Sequence, residues 1–197
     1  MFAKKNEEEA RTSPKKKESP KYTWQQNVSL YLHDLVYMLA VVMVLLMLFF
    51  RIIIVDGPSM ERTLLNGDYM LLVSNLFYKD PQPGDVVVVS KQAYDNGKPI
   101  VKRVIATGGE SVYIDAAGNV SVNGTLLDEP YLAEKDAGTS DLDYPYVVPA
   151  GTYFVLGDHR ESSVDSRSSL VGCVEQSEIV GKIIFRVWPL SSFGKIK

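Results

Sequence analysis

The longest apolar segment of the chain lies near its N-terminal end. Residues 35–50 include no charged side chain, and after Arg51 the chain is apolar again over residues 52–55. A helix of about 20 residues crosses the hydrocarbon core of a bilayer, and an arginine near the end of such a helix can extend to the interface. The pattern therefore predicts a transmembrane helix over residues 35–55. A buried core helix is the alternative, although such helices normally carry a polar stripe.

Beyond residue 56 the pattern changes to short runs rich in β-branched and aromatic residues, bounded by Gly, Pro and Asn. Such runs are typical of β-strands, and residues 111–127 have the alternation and turns of hairpins. Short helical pieces are expected only near residues 60–65 and 166–172. The sequence predicts a mainly β domain over residues 56–197, tethered by one N-terminal helix. The expected strands lie within residues 68–74, 84–90, 99–107, 111–127, 152–156 and 178–190.

The distribution of charge along the chain predicts which part lies on each side of a membrane. The first 21 residues carry seven Lys and Arg, so the positive-inside rule places this end in the cytoplasm. Residues 1–34 are expected to be a disordered basic tail, and residues 56–197 to be extracytoplasmic. The latter carry 13 Lys and Arg against 19 Asp and Glu, which argues against nucleic acid as a partner. A single cysteine excludes an intrachain disulfide, and no residue set has metal-ligand spacing.

Three parts of the chain carry residues that could take part in catalysis. Ser59 lies four residues beyond the apolar segment, Lys102 and Arg103 interrupt an apolar strand, and residues 157–167 form a dense polar stretch. Neighbouring residues of a strand point to opposite faces, so one of the two cations must be buried, paired or in a cleft. Burial lowers the pKa of a lysine, and a neutral lysine can act as a base toward a serine hydroxyl. An edge strand with two exposed cations is the alternative.

Four segments in order resemble the bacterial type I signal peptidases, or leader peptidases: "GPSMERTLLNGD", "PQPGDVVVV", "IVKRVIATGGE" and "GDHRESSVDSR". The resemblance implies an antiparallel signal-peptidase/LexA-like β fold and a Ser-Lys dyad, with Ser59 as nucleophile and Lys102 as general base. It further implies that Ser163 hydrogen-bonds and orients the lysine. Asp165 and Arg167 would form a structural ion pair that Arg103 joins.

Two positions depart from the family's pattern. His159 stands where many relatives have asparagine, and a Ser59–His159 dyad is a minor alternative because the lysine position is occupied. Gly57 stands where some relatives have a serine whose hydroxyl helps to hold the oxyanion. The backbone N–H of Ser59 is then the expected oxyanion donor, together with a second N–H or a water.

The resemblance also implies a substrate and a location. It implies a single-pass cell-membrane endopeptidase that cleaves signal peptides from exported preproteins, with the bilayer as a further partner and no cofactor or metal. The substrate would lie extended beside Asp56, Gly57, Pro58, Ile100 and Val101. A small β subdomain is expected at residues 107–150.

Two other functions remain open from the sequence. The first is a self-cleaving LexA-like protease that uses the same Ser-Lys chemistry, which the anchor argues against. The second is a non-catalytic, membrane-anchored β binding module. That module predicts an exposed Lys102 more than about 6 Å from Ser59, beyond hydrogen-bond reach.

Overall fold

The computed structural model describes residues 23–132, 134–136 and 138–196. Residues from Met43 onward form one compact unit, which contains the strands. These are β1 (Phe50–Ile54), β2 (Tyr69–Ser74), β3 (Val86–Val89), β4 (Ile100–Thr107), β5 (Ser111–Ile114), β6 (Val120–Val122), β7 (Thr125–Leu126), β8 (Tyr146–Val147), β9 (Thr152–Leu156), β10 (Val174–Glu175), β11 (Ile179–Trp188) and β12 (Gly194–Lys195). Every expected strand segment holds at least one of them.

Helix α1 (Trp24–Phe49) differs from the predicted helix at both ends. It begins eleven residues earlier, in the segment expected to be a disordered tail, and it ends at Phe49. Its N-terminus is a capping box: Gln26 N–H donates to Thr23 Oγ1, and Thr23 N–H donates to Gln26 Oε1. The rest of the predicted tail, residues 1–22, lies outside the described residues.

Residues 50–54 form strand β1, which contradicts the predicted continuation of the helix to residue 55. The strand pairs antiparallel with β2, with Phe50 opposite Val73 and Ile54 opposite Tyr69. Three consecutive isoleucines favour this outcome because β-branched side chains fit a pleated surface better than a helix. Although it ends at Phe49, helix α1 is still a candidate membrane span by its length and composition.

An eight-stranded antiparallel sheet carries the site. Its order is β1-β2-β11-β3-β4-β9-β10, with β12 paired to β11. Strand β3 is buried on both faces: Val86 and Val88 pack in one cluster with Met60, and Val87 and Val89 pack in another. This explains its uninterrupted apolar sequence.

Strand β4 lies inside the sheet, between β3 and β9. The edge-strand alternative for Lys102 and Arg103 is therefore wrong. Both cations are buried, at 2% and 1% exposure, and a group buried to this extent is either paired with an opposite charge or has its pKa shifted toward the neutral form.

A second, four-stranded sheet has the order β7-β6-β5-β8 and is formed by residues between Ser111 and Val147. Its inward side chains, such as Val112 and Val120, share a core with Phe154 and Leu156 of β9. The two expected short helices are absent from the described residues: residues 60–65 and 166–172 form hydrogen-bonded turns.

Candidate active site

Ser59 lies in a tight turn that the core holds in place. Glu61 N–H donates to the carbonyl of Pro58 at 2.8 Å, and Leu64 N–H donates to the carbonyl of Met60 at 2.8 Å. The side chains of Met60 and Leu64 are fully buried. The carbonyl of Ser59 accepts the N–H of His159 at 3.0 Å, which joins the turn to the polar segment 157–167.

Lys102 reaches Ser59 from strand β4. Its Nζ donates to Ser59 Oγ at 2.9 Å and to the carbonyl of Val101 at 3.0 Å. At this distance a neutral lysine could accept the hydroxyl proton directly. The non-catalytic alternative expected an exposed lysine beyond about 6 Å, and both of its expectations fail here.

The surroundings of Lys102 lower its pKa from 10.5 to about 8. Burial of the ammonium is the largest cause, because desolvation disfavours the charged form. The negative charge of Asp165 and, less strongly, that of Asp158 act in the opposite direction, while the positive charge of Arg167 adds to the lowering. About half of the lysines are then neutral near pH 8, whereas an ordinary lysine would be neutral in less than about 1% of molecules.

Arg103 forms a buried ion pair with Asp158. The guanidinium Nε donates to Asp158 Oδ1 at 2.9 Å, and Nη2 donates to Oδ2 at 2.6 Å. Thr63 Oγ1 also donates to this carboxylate, at 2.5 Å. The carboxylate that Arg103 contacts among the described residues is therefore Asp158, at the start of the polar segment, where the resemblance implied Asp165. Through the bond from Thr63 to Asp158, the pair also links β4 to the turn that follows Ser59.

Ser163, Asp165 and Arg167 form a second cluster, in which Asp165 and Arg167 are buried and Ser163 is partly buried. Arg167 binds Asp165 through Nε at 2.8 Å and Nη2 at 3.0 Å, the pairing that the sequence resemblance implied. The Ser163 hydroxyl donates to Asp165 Oδ2 at 2.7 Å. Among the described residues, the hydrogen-bond partners of the Lys102 ammonium are Ser59 and Val101. The expected bond from Ser163 to Lys102 is therefore not formed in this structure.

At Gly157 this second cluster lies against the backbone of Ser59. A Cβ at this position would lie 2.3 Å from Ser163 Oγ and 2.6 Å from the carbonyl oxygen of Ser59. Any side chain would displace one of them. The N–H of Gly157 donates to Asp165 at 3.0 Å, so the glycine allows a close approach of backbone to backbone.

A cavity of about 360 Å³ opens beside Ser59. Four of the five residues predicted to bind substrate line it, namely Asp56, Gly57, Ile100 and Val101. Pro58 is not among the lining residues. The other walls are mainly apolar and are formed by Ile53, Ile54, Val55, Met60, Val88 and Pro99, with Lys98 at the edge.

Comparison with known proteins agrees with the family resemblance found in the sequence. The sequence model of the family described as signal peptidase, peptidase S26, matches residues 28–188. Over 156 residues the chain is 37% identical to signal peptidase IB of Staphylococcus aureus, and the alignment covers 71% of this chain and 78% of that protein. The chain belongs to the signal peptidase family, peptidase S26. Membership makes it a serine peptidase, a hydrolase of the class that cleaves signal peptides.

Two further relatives of the signal peptidase family are similar to this chain. The chain is 35% identical over 147 residues to probable signal peptidase I-2 of Synechocystis sp., which covers 71% of this chain and 64% of the relative. A crystal structure of a signal peptidase I from Enterococcus faecalis is 33% identical, covers 53% of this chain and 97% of that chain, and has a TM-score of 0.42.

The contacts of His159 do not match the alternative in which its ring acts as the base for Ser59. Its Nδ1 lies 3.4 Å from Glu61 Oε2, and its backbone N–H holds the Ser59 carbonyl. Among the described residues, the side-chain partner of Ser59 Oγ is Lys102. In the described residues His159 thus contacts the backbone of Ser59, and its ring makes no contact with the Ser59 hydroxyl.

A buried pair of Arg160 and Glu129 was not found from the sequence. Arg160 Nη2 donates to Glu129 Oε1 at 2.5 Å, and its Nε donates to the carbonyl of Gly157 at 3.0 Å. Tyr131 donates to the same Glu129 oxygen and lies under the Arg103 guanidinium, 3.9 Å from ring centroid to Cζ. Arg160 lies in the polar segment, but nothing in the local pattern around Glu129 indicates burial.

Proposed function

We propose that this chain is a membrane-bound serine endopeptidase that removes N-terminal signal peptides from exported preproteins with a Ser59–Lys102 dyad. The observation that carries the proposal is the 2.9 Å contact between Ser59 Oγ and the Nζ of a lysine that is 2% exposed. A buried lysine in contact with a serine hydroxyl has no need of a histidine to accept the proton.

The neutral amine of Lys102 takes the proton of the Ser59 hydroxyl as Ser59 Oγ attacks the scissile carbonyl. The lysine then gives this proton to the leaving amine, and an acyl-enzyme ester on Ser59 remains. Water attacks the ester with Lys102 again as base, which releases the signal peptide and restores the hydroxyl. A lowered lysine pKa favours these steps because it provides the neutral form near neutral pH.

The backbone N–H of Ser59 is the proposed donor to the oxyanion. No described residue accepts a hydrogen bond from it, so it is available to the reacting carbonyl oxygen. Gly57 has a φ of +105°, a conformation that favours glycine, and its own N–H is already bound to Asn66 Oδ1 at 3.1 Å. A single backbone donor of this kind can contribute about 3 kcal/mol to transition-state stabilisation.

An extended substrate fits the two walls of the cavity. Strand β1 is the terminal strand of its sheet, so one of its edges is unpaired in the described part of the chain. Strand β9 pairs with β4 only from Arg103 onward, which leaves Ile100 and Val101 open on that side. A peptide could add to these edges through main-chain hydrogen bonds, while the apolar cavity accepts small side chains.

The proposed anchor is helix α1, whose 26 residues extend about 39 Å. With the basic N-terminal residues in the cytoplasm, the sheets would lie outside the cell. Four exposed apolar side chains would contact the outer leaflet: Leu76, Phe77, Trp188 and Phe193. Tyr78, which follows Leu76 and Phe77 in the chain, is half-buried and donates to Asp85 at 2.5 Å, so it is not counted among them.

The proposal is tested with a secretory precursor in detergent. The full-length protein should convert the precursor to a shorter product, whose new N-terminus is then sequenced. Ser59→Ala is the matched control, since it removes only one oxygen atom. Cleavage at the end of the signal peptide by the wild type alone supports the proposal, and equal cleavage by both proteins refutes it.

A further inference from the structure

Two charged side chains in the lining of the cavity beside Ser59 form an ion pair. Lys98 Nζ lies 3.2 Å from Asp56 Oδ2. Among the described residues that line the cavity, these are the two charged ones, and the rest of the lining is apolar apart from Gly57 and Ser59. Any recognition of charge by the cavity walls therefore depends on this pair.

Hydrogen bonds fix the backbone around Asp56 and at Lys98, whereas the side chains of these two residues are exposed and can move. The N–H of Val55 donates to Asp68 O, and the N–H of Gly57 donates to Asn66, so Asp56 lies between two anchored residues. The N–H of Lys98 closes a turn onto the carbonyl of Asp95 at 3.0 Å. The Lys98 and Asp56 side chains remain 60% and 75% exposed.

An exposed ion pair adds little to stability, so a bound peptide can displace it at small cost. The side chains of an extended peptide alternate between two directions. Those that point into the cavity meet apolar walls, and those between them point toward its open side, where the exposed side chains of Asp56 and Lys98 lie. An outward basic side chain can replace Lys98 as the partner of Asp56, and an acidic one can replace Asp56 as the partner of Lys98.

We propose that Asp56 and Lys98 determine which charges the substrate can carry at its outward-facing positions before the cut. In the wild type the two charges neutralise each other, so acidic and basic residues are accepted about equally. Loss of one partner leaves the other to select the opposite charge. This inference rests on the proposed function, since it concerns the substrate of the same site.

The test uses detergent-solubilised full-length protein and quenched fluorescent peptides that span a signal-peptide cleavage site. Each peptide carries Lys, Glu or Gln at one of positions two to five before the cut. The measured quantity is the ratio of kcat/KM for the Lys peptide to that for the Glu peptide. Asp56→Asn, Lys98→Gln and the double variant are compared with the wild type. Asp128→Asn and Lys79→Gln are the controls, because they make the same charge changes on exposed residues outside the cavity.

At one or more alternate positions we expect Asp56→Asn to lower the ratio and Lys98→Gln to raise it, each about fivefold. The double variant should return the ratio to near the wild-type value, and added salt should reduce the single-variant effects. The inference is overturned if no position responds in opposite directions, or if the controls respond equally. Failure of the wild type to cut any peptide faster than Ser59→Ala would instead reject the proposed function.

Discussion

Lys102 Nζ lies 2.9 Å from Ser59 Oγ, although 43 residues separate the two along the chain. Strand β4 brings the lysine into the interior of the sheet, and the buried Met60 holds the serine turn beneath it. Neither residue is unusual alone. Their contact, together with the burial of the amine, gives the site its proposed chemistry.

The activity should depend on pH through this lysine. The amine is a base only when neutral, so kcat/KM should rise as the pH increases through about 8, the lowered pKa of Lys102. The measurement is a pH profile of peptide cleavage by the solubilised protein. A rise that begins only near the ordinary lysine pKa of about 10.4 would contradict a desolvated base.

Lys102→Met should abolish cleavage and yet increase stability. The lowered pKa means that the folded protein binds the proton less well than the unfolded chain does. The contribution of Lys102 is therefore most favourable above pH 10.5 and is lost as the pH falls through about 8. It makes the wild type less stable near neutrality by about 3 kcal/mol.

Chemical unfolding at pH 7 and at pH 10.5 measures this effect, with the variant compared with the wild type at each pH. The advantage of Lys102→Met should be larger at pH 7 and should shrink at the higher pH. A difference that is the same at both values would show that the lysine is not desolvated in the folded state.

Ser163→Ala should reduce the activity far less than the loss of Lys102. In the structure the Ser163 hydroxyl donates to Asp165, and its removal costs one hydrogen bond, or about 1 kcal/mol. We expect kcat to fall by about tenfold or less, with the pH profile unchanged. Steady-state kinetics decides the matter. A loss as large as that of Lys102→Ala would indicate that the serine contacts the lysine during catalysis, as the sequence resemblance implied.

Glu129→Gln should destabilise the protein by about 3 kcal/mol, because it leaves the buried Arg160 without its charge partner. Urea unfolding of Glu129→Gln, Arg160→Gln and the double variant gives the coupling free energy between the two side chains. The double variant should lose clearly less than the two single losses added together. Additive losses would show that the two side chains do not interact. Lys79→Gln, at an exposed position, should leave the midpoint unchanged.

The sequence predicted the strands better than it predicted the helix. Alternation and β-branched runs located β4 and β11 because these strands bury one or both faces. The end of α1 was placed six residues too late because hydrophobicity alone does not distinguish a helix from an apolar strand. The three isoleucines of β1 were the local signal for a strand, and the capping box of Thr23 and Gln26 was the signal for the helix start.

The ion pairs show a different limit of sequence reasoning. Asp165 and Arg167 are two residues apart, so their pairing is local and followed from the resemblance. Arg103 finds Asp158 across 55 residues and Arg160 finds Glu129 across 31, and only the folded backbone selects these partners. Charged residues cannot be matched over such separations without the positions of the strands.

The most direct test of the dyad is the rate of precursor cleavage by Lys102→Ala beside the wild type and Ser59→Ala, with circular dichroism to verify that each is folded. We predict that both variants keep the β structure and that each loses activity by at least about 10³-fold. Lys102→Ala that retains more than about a tenth of the wild-type rate would contradict the account, because another group would then activate Ser59.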